Sequence, residues 1–408
     1  MTNPSFESVC QELDLRRHIT LGFDRIETLL GLLGHPERYL RIVQVVGTNG
    51  KGTTAVALAA ALEQAGHPSG AYLSPHVLSY VERVMVRGEF VSEDSFAAAM
   101  GRVLTLADDN GVGASQFELL TAGTIGLFRA EGLSWAVLEA GLGARHDATT
   151  AARPEAVVLT NVGLEHTEYL GNTIEEVASE KLASVPPGGT LVLGTSDPRV
   201  TEQARKECAR LGARLVEVGE ETGPEETGLS SYAAWNTALG IRAAETVLGH
   251  ELNAAARSEV ATRVSGALPA RFEKHELRGV PVVVDGGHNP DGLVAALGAV
   301  RENFGDRPLG VVFGALRDKD IGSMLTALKN EASSLVLTRP ANERAAEPGW
   351  VGREFDPRDT GGKEAAVVTN VDEALERVVE EMRQVGGVVL VTGSLYTAAD
   401  VLGRLREN

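Results

Sequence analysis

The stretch GTNGKGTT, residues 47–54, decides the fold. It follows the apolar run RIVQVVG (41–47) and leads into the alanine-rich segment TTAVALAAALEQAG (53–66). A strand, a glycine-rich turn and a helix in that order form a cradle for phosphate, because backbone N–H groups converge and the helix N-terminus favours negative charge. Gly50 and Gly52 let the backbone approach a phosphate without a Cβ in the way. Lys51 is placed for the β- and γ-phosphates of ATP, and the hydroxyl of Thr53 for Mg2+. Thr48, Asn49 and Thr54 complete the candidate ATP-binding set. The string departs from a regular P-loop, since Gly52 separates Lys51 from Thr53 and the opening glycine lies closer to the lysine.

Outward from this point the same alternation repeats. Candidate strands run over 41–47, 70–74, 135–141, 155–162 and 190–194, then over 280–287, 309–315, 334–338, 365–370 and 387–394. Continuous apolar runs alternating with helix-like segments, such as 53–66 and 232–249, argue for parallel sheets covered on both faces. The fold class is therefore α/β, with a large N-terminal domain of P-loop type (1–265) and a smaller C-terminal Rossmann-like domain (266–408). The stretch 339–363 reads as a long surface loop.

Bulk properties narrow the function. A chain of 408 residues predicts two or three domains. A net charge of −18 repels phosphate backbones, so nucleic acid is excluded as an expected partner, and an anionic ligand must be held by local features. No uninterrupted apolar stretch approaches the length of about 18 residues that a membrane span needs, and the N-terminus does not read as a secretory signal. Two well-separated cysteines, Cys10 and Cys208, make no disulfide framework, which predicts a cytoplasmic location.

Polar residues cluster at predicted strand ends, where open α/β sheets bind their ligands. Ser74 lies in SPH (74–76), Glu139 in LEAGLG (138–143), Glu165 and His166 in TNVGLEHTEYLG (160–171), and Lys181 in ASEKLA (178–183). Singly each has an ordinary explanation as a turn, a surface histidine or a solvated lysine. Beside a phosphate cradle, hydroxyl, carboxylate and imidazole together point to a hard cation such as Mg2+. In the C-terminal half VVVDGGHNPDG (282–292) brings Asp285, His288 and Asn289 to one strand end, although a capped helix start explains Asn289 equally well. Arg271 lies at the domain border, and TGSLY (392–396) ends the last strand.

These strings, in this order, resemble the folylpolyglutamate synthase/dihydrofolate synthase family, a branch of the Mur ligase superfamily. The resemblance runs from about Phe23 to the C-terminus and is carried by GTNGKGTT, YLSPHVLSYVERVMVRGE (72–89), FELLTAG (117–123), LEAGLGARHDATT (138–150), LTNVGLEHTEYLG (159–171), SEKLASVPPGG (179–189), LPARFE (268–273), DGGHNP (285–290), GALRDKD (314–320) and TGSLY. It implies an ATP-dependent ligase that makes an acyl phosphate and joins it to L-glutamate, with dihydropteroate, a reduced folate or both as the acid. It also implies Mg2+ ligands at Thr53, Ser74, Glu139 and His166, and a carbamylated lysine at Lys181. Lys51, Glu139, His166, Lys181 and Arg271 are then the catalytic set. Asn236 is implied at the adenine, Arg271 at the phosphates, and Asp285 and His288 at the nucleotide and glutamate sites. Ser394 is implied beside glutamate, and Arg83, Phe117 and Asp147 near the pterin. A monovalent cation and a monomeric state complete the expectation.

The sequence departs from the family at four places. GLGGRLDATN reads GLGARHDATT, with Ala144, His146 and Thr150; a usual histidine is Gln44; a usual glutamine is Ala233; and LPGR is LPAR, with Ala270. Three other readings remain open at this level: a peptidoglycan Mur ligase, a ligase for a non-folate acid, and an ATP-binding protein that has lost catalysis.

Overall fold

A computed structural model of the chain describes residues 4–219, 231–354 and 365–407. The chain divides into two compact units, Met1–Leu229 with Ala233–Ala267, and Ser230–Tyr232 with Leu268–Asn408. Each is built on one sheet.

The first unit holds an eight-stranded sheet among the described residues, made of β1 (Arg41–Val46), β2 (Ser69–Tyr72), β3 (Val84–Val86), β4 (Glu89–Phe90), β5 (Trp135–Glu139), β6 (Ala156–Leu159), β7 (Thr190–Leu193) and β8 (Arg214–Glu217). Its order is β4-β3-β2-β5-β1-β6-β7-β8, and all neighbours pair in parallel except β3, which runs antiparallel to both β2 and β4. β1 is flanked by β5 and β6 in parallel register, with Val45 opposite both Glu139 and Val158. From Ile42 to Val46 every residue of β1 is buried, as a strand covered on both faces must be. The helix Lys51–Gln64 leaves the C-terminal end of β1 with ten buried residues, most of them alanine, leucine or valine. Small side chains on that helix let it lie close against the sheet and against the helix Ser231–Leu248. A Cβ on Gly240 would sit 2.6 Å from the Ala57 side chain and from the Thr54 carbonyl oxygen.

The second unit holds a six-stranded sheet among the described residues, ordered β13-β12-β11-β14-β10-β9. Its strands are β9 (Glu273–Leu277), β10 (Val280–Val284), β11 (Leu309–Phe313), β12 (Ser334–Leu337), β13 (Ala366–Val367) and β14 (Val388–Thr392). All pair in parallel except β9, which runs antiparallel to β10. The α/β class and the two-sheet architecture agree with the sequence.

All ten expected strands are present, and four others were not expected. β3, β4, β8 and β9 are short or half-exposed: β8 alternates weakly, and β9 reads EKHEL with every second residue exposed. Three of the four are sheet edges, where one apolar face is enough and no continuous apolar run arises. The expected surface loop 339–363 also needs correcting. Its described part folds into the helix Pro348–Glu354, buries Pro340, Ala345, Ala346 and Val351, and pairs Ala345 with Leu316. Proline and glycine masked this packing in the sequence. The rest of that stretch lies outside the described residues.

Candidate functional site

The phosphate-type loop is shaped by its neighbours. Gly47 (φ +148°) lies so close to Thr160 that a Cβ would overlap the Thr160 hydroxyl, and Gly50 (φ +81°) is covered in the same way by the Asn236 side chain. Both positions therefore require glycine. Thr160 and Asn161, at the end of β6, hold the loop: Thr160 Oγ1 and Asn161 Nδ2 both donate to the Asn49 carbonyl oxygen, at 2.7 and 3.1 Å, and Asn161 Oδ1 accepts from the Asn49 amide at 2.9 Å. The Thr48 hydroxyl is buried and exchanges hydrogen bonds with the backbone of Gly163. Thr54 is fully buried; its amide donates to the Gly50 carbonyl oxygen and its hydroxyl to that of Asn236. The structure thus gives Thr48, Asn49 and Thr54 the work of bracing the loop. Gly52 and Thr53 lie in the first turn of the helix, and Thr53 is 6 % exposed.

Two lysines meet at this loop. Lys51 Nζ donates to the carbonyl oxygens of Gly47 and Thr48, each at 3.0 Å. Lys181, on the helix Ile174–Leu182 and 1 % exposed, donates to the same Gly47 oxygen at 2.8 Å and to Glu165 Oε1 at 2.6 Å. Burial, reinforced by Lys51, pushes the Lys181 ammonium down to about 8 against the pull of Glu165. Burial alone would raise Glu165, but Lys51, Lys181 and His166 outweigh it and hold the carboxyl at about 2. Glu165 belongs to the strand-end cluster read as part of a cation site, and the structure gives it Lys181 as a partner. His166 follows it with a left-handed backbone (φ 45°), which turns the chain into the short helix Thr167–Leu170.

Glu139 ends β5 and is 4 % exposed, and its Oε2 accepts from the Ser74 amide at 2.8 Å. The register that sets Val45 beside Glu139 brings this carboxylate to the same sheet end as the loop. Among the described residues no three His, Cys, Asp or Glu side chains converge as a metal-binding group. A buried carboxylate tied to Ser74, with Thr53 on the neighbouring helix, is nevertheless an oxygen-rich set of the kind a hard cation takes together with phosphate oxygens.

The three residues expected near the pterin gather around Tyr72. Phe117 stands 5.7 Å from the Tyr72 ring and packs on Gly141, where a Cβ would meet its ring at 2.8 Å. Arg83 is buried, lies over Tyr80 and donates from Nε to His76 Nδ1 at 2.8 Å. Burial and the Arg83 and Arg17 charges hold the His76 imidazole at about 3, so it is neutral and free to accept that bond. Asp147 braces its own loop. Its Oδ2 accepts from the amides of Gly141 and Leu142, and its Oδ1 from the amide and hydroxyl of Thr149. Those four local donors tie the buried carboxylate to its own loop, and burial raises its pKa despite them. Asn236 is 6 % exposed and covers Gly50, beside the loop.

In the second unit Asp285 is the hub. Its Oδ2 accepts from Tyr232 Oη at 2.7 Å and the Phe272 amide at 3.0 Å, and its Oδ1 from the Gly287 amide at 2.9 Å. Arg271 sits between two left-handed residues, Ala270 (φ 54°) and Phe272 (φ 52°). Such backbone costs about 1 kcal/mol or more at each non-glycine residue and persists only where surroundings hold it. Here Glu273 Oε2 accepts from the Ala270 amide at 3.0 Å and Asp285 from that of Phe272. His288 Nδ1 faces the Gly286 carbonyl oxygen at 3.1 Å. Ser394 is 2 % exposed and its Oγ accepts from the Thr397 amide at 3.1 Å, at the start of the helix Leu395–Glu407. Replacing Asp285→Asn puts an N–H2 where a donor already points, so a loss of about 1–3 kcal/mol is expected. A thermal melt superimposable on the wild type would refute the bracing role.

A Mur ligase middle-domain model matches residues 45–237, and a Mur ligase glutamate ligase domain model matches 270–395. The dihydrofolate synthase/folylpolyglutamate synthase of Bacillus subtilis is 29 % identical, over 94 % of this chain and 95 % of its own. Among solved structures, Mycobacterium tuberculosis folylpolyglutamate synthase complexed with ADP and AMPPCP superposes with a TM-score of 0.87 at 25 % identity, covering 98 % of both chains. A bifunctional folylpolyglutamate synthase/dihydrofolate synthase with Mn, AMPPNP and L-glutamate bound gives 0.82 at 27 % identity, covering 99 % of this chain and 100 % of the other.

Proposed function

Because the chain belongs to the Mur ligase family, whose members are ATP-dependent amide-forming ligases, we propose that it joins L-glutamate to dihydropteroate, to the γ-carboxyl of a reduced folate, or to both. The observation that carries the reading is the braced loop Gly47–Gly50 with Lys51 lying over its carbonyls and Glu139 at the neighbouring strand end. The substrate carboxylate attacks the γ-phosphorus of ATP and ADP leaves. The amine of glutamate then attacks the acyl carbon, loses a proton and expels phosphate, so the amide, ADP and phosphate are the products. Lys51 and the amides opening the helix Lys51–Gln64 oppose the negative charge of the phosphoryl group in flight. Thr53, Ser74, Glu139 and His166 are the residues that would hold a divalent cation, Mg2+ in our reading. Such an ion would neutralise phosphate charge. In the second unit, Asp285 and Glu273 hold the loop carrying Arg271, which we assign to phosphate binding, and His288 we assign to the glutamate side. Among the described residues no helix is long and apolar enough to cross a membrane, and Cys10 and Cys208 are free thiols, which supports a cytoplasmic enzyme.

The decisive assay measures ADP release with ATP, L-glutamate and either dihydropteroate or tetrahydrofolate. Glutamate-dependent release with at least one acid is expected. Release with neither, but with another carboxylic acid, would replace the folate assignment and leave the ligase one.

Lys181 has a finer role in the same reading. Burial lowers the proton affinity of the Lys181 ammonium, which favours the neutral amine that reacts with CO2. Carbamylation would turn a buried cation into an oxygen ligand beside Gly47. Dialysis against CO2-free buffer should lower turnover, and bicarbonate should restore it together with a carbamate signal in 13C NMR. Unchanged turnover and no such signal would retire the modification.

A further inference from the structure

Gln44 lies on β1 three residues before Gly47 and is completely buried. Its Nε2 stands 2.7 Å from Thr149 Oγ1 and 2.8 Å from Thr150 Oγ1. Both hydroxyl protons are already committed. Thr149 Oγ1 donates to Asp147 Oδ1 at 2.5 Å, and Thr150 Oγ1 to the Ala144 carbonyl oxygen at 2.7 Å. A carbonyl oxygen only accepts, and a carboxylate that takes three amide N–H groups does the same. Each hydroxyl therefore has only lone pairs to offer Gln44, which fixes the carboxamide with its N–H2 toward them. Its Oε1 is buried without a hydrogen-bond partner, a cost that a side chain chosen for packing alone would not carry.

The two branches reach the same segment. Through Thr149, Gln44 orients Asp147, which gathers the amides of Gly141 and Leu142; through Thr150 it fixes Ala144. One side chain on the strand that feeds the phosphate-type loop thus sets the course of residues 141–147. That segment begins two residues after Glu139 and carries Gly141, the floor under Phe117.

We propose that Gln44 is a positioning residue of the ligation: as a double donor to Thr149 and Thr150, it aligns the Gly141–Asp147 segment, and so the seat of the acid substrate, with the nucleotide loop. The inference rests on the ligase reading above. It has no catalytic step of its own, so its signature is a selective loss.

The test compares Gln44→Met, which keeps volume and removes both donors, with Thr150→Val and Thr150→Ser. ATP, glutamate and the acid are varied separately, and ADP affinity is measured by calorimetry. Gln44→Met and Thr150→Val are expected to lower kcat/KM for the acid about tenfold, with ADP affinity and the glutamate KM within about twofold of wild type; Thr150→Ser recovers most of the loss. Values for the acid within about twofold of wild type in Gln44→Met, or a loss spread equally over all three substrates, overturn the inference. If Gln44→Met does not fold, the Thr150 pair decides, and equal behaviour of Val and Ser overturns it. A wild-type protein inactive with every acid defeats the ligase reading and this inference with it, whereas an active wild type with indifferent variants defeats this inference alone.

Discussion

Lys51→Ala is expected to lower glutamate-dependent ADP release by about 10²–10³-fold, the usual cost of removing one charge-stabilising group aimed at a transition state. The protein should still fold. Among the described residues Lys51 Nζ donates to the carbonyl oxygens of Gly47 and Thr48, and the loop keeps its ties to Thr160 and Asn161 without it. Removing the ammonium also relieves Lys181, whose proton affinity Lys51 depresses. A circular dichroism melt within a few degrees of wild type, combined with the loss of turnover, would separate chemistry from folding. Turnover within about threefold of wild type would mean that this lysine does not face the transferred phosphoryl group.

Glu165→Gln should instead strike stability. Glu165 and Lys181 form a largely buried pair at 2.6 Å, and removing one charge leaves two ammonium groups around the Gly47 carbonyl without the carboxylate that pairs with Lys181. Breaking such a pair costs about 3–5 kcal/mol. The melting temperature should drop by on the order of 10 °C. The pH dependence supplies the sign. Glu165 titrates at about 2 in the folded protein and at 4.5 ordinarily, so its contribution is complete above 4.5 and disappears as pH falls through about 2. Wild type and Glu165→Gln should therefore converge in stability as the pH is lowered across that window. Parallel curves would show that the pair contributes nothing there.

Much of the fold was legible because the central parallel strands are buried on both faces and announce themselves as apolar runs. β1, β5, β6 and β7 could be read directly, as could β10, β11, β12 and β14. β8 and β9 could not, since an edge with one wet face leaves a pattern no stronger than that of a loop. Side chains followed a similar division. Glu139 and Lys51 stood out because a charge at the end of an apolar run, or after a glycine turn, has few structural uses. Asp147 and Ser394 entered only through the family resemblance, and the structure adds that each accepts from backbone amides close in sequence. Residue type tells how many bonds a group can make and not what it faces. Gln44 was noticed only as a departure from the family pattern; its meaning lay in Thr149 and Thr150, more than a hundred positions away.

The placement of β1 between β5 and β6 has a final consequence. Neighbouring rungs along a strand are about 3.3 Å apart, and the ladder offers no settings between them. The offset between Gly47 and Glu139 is thus counted in whole residues, and a single insertion or deletion inside β1 would carry Gln44 to the opposite face of the sheet while displacing the loop by a full rung. Length variation is therefore expected to be forbidden there and tolerated at β4, β8 and β13, where a strand ends the sheet and nothing downstream takes its measure from it.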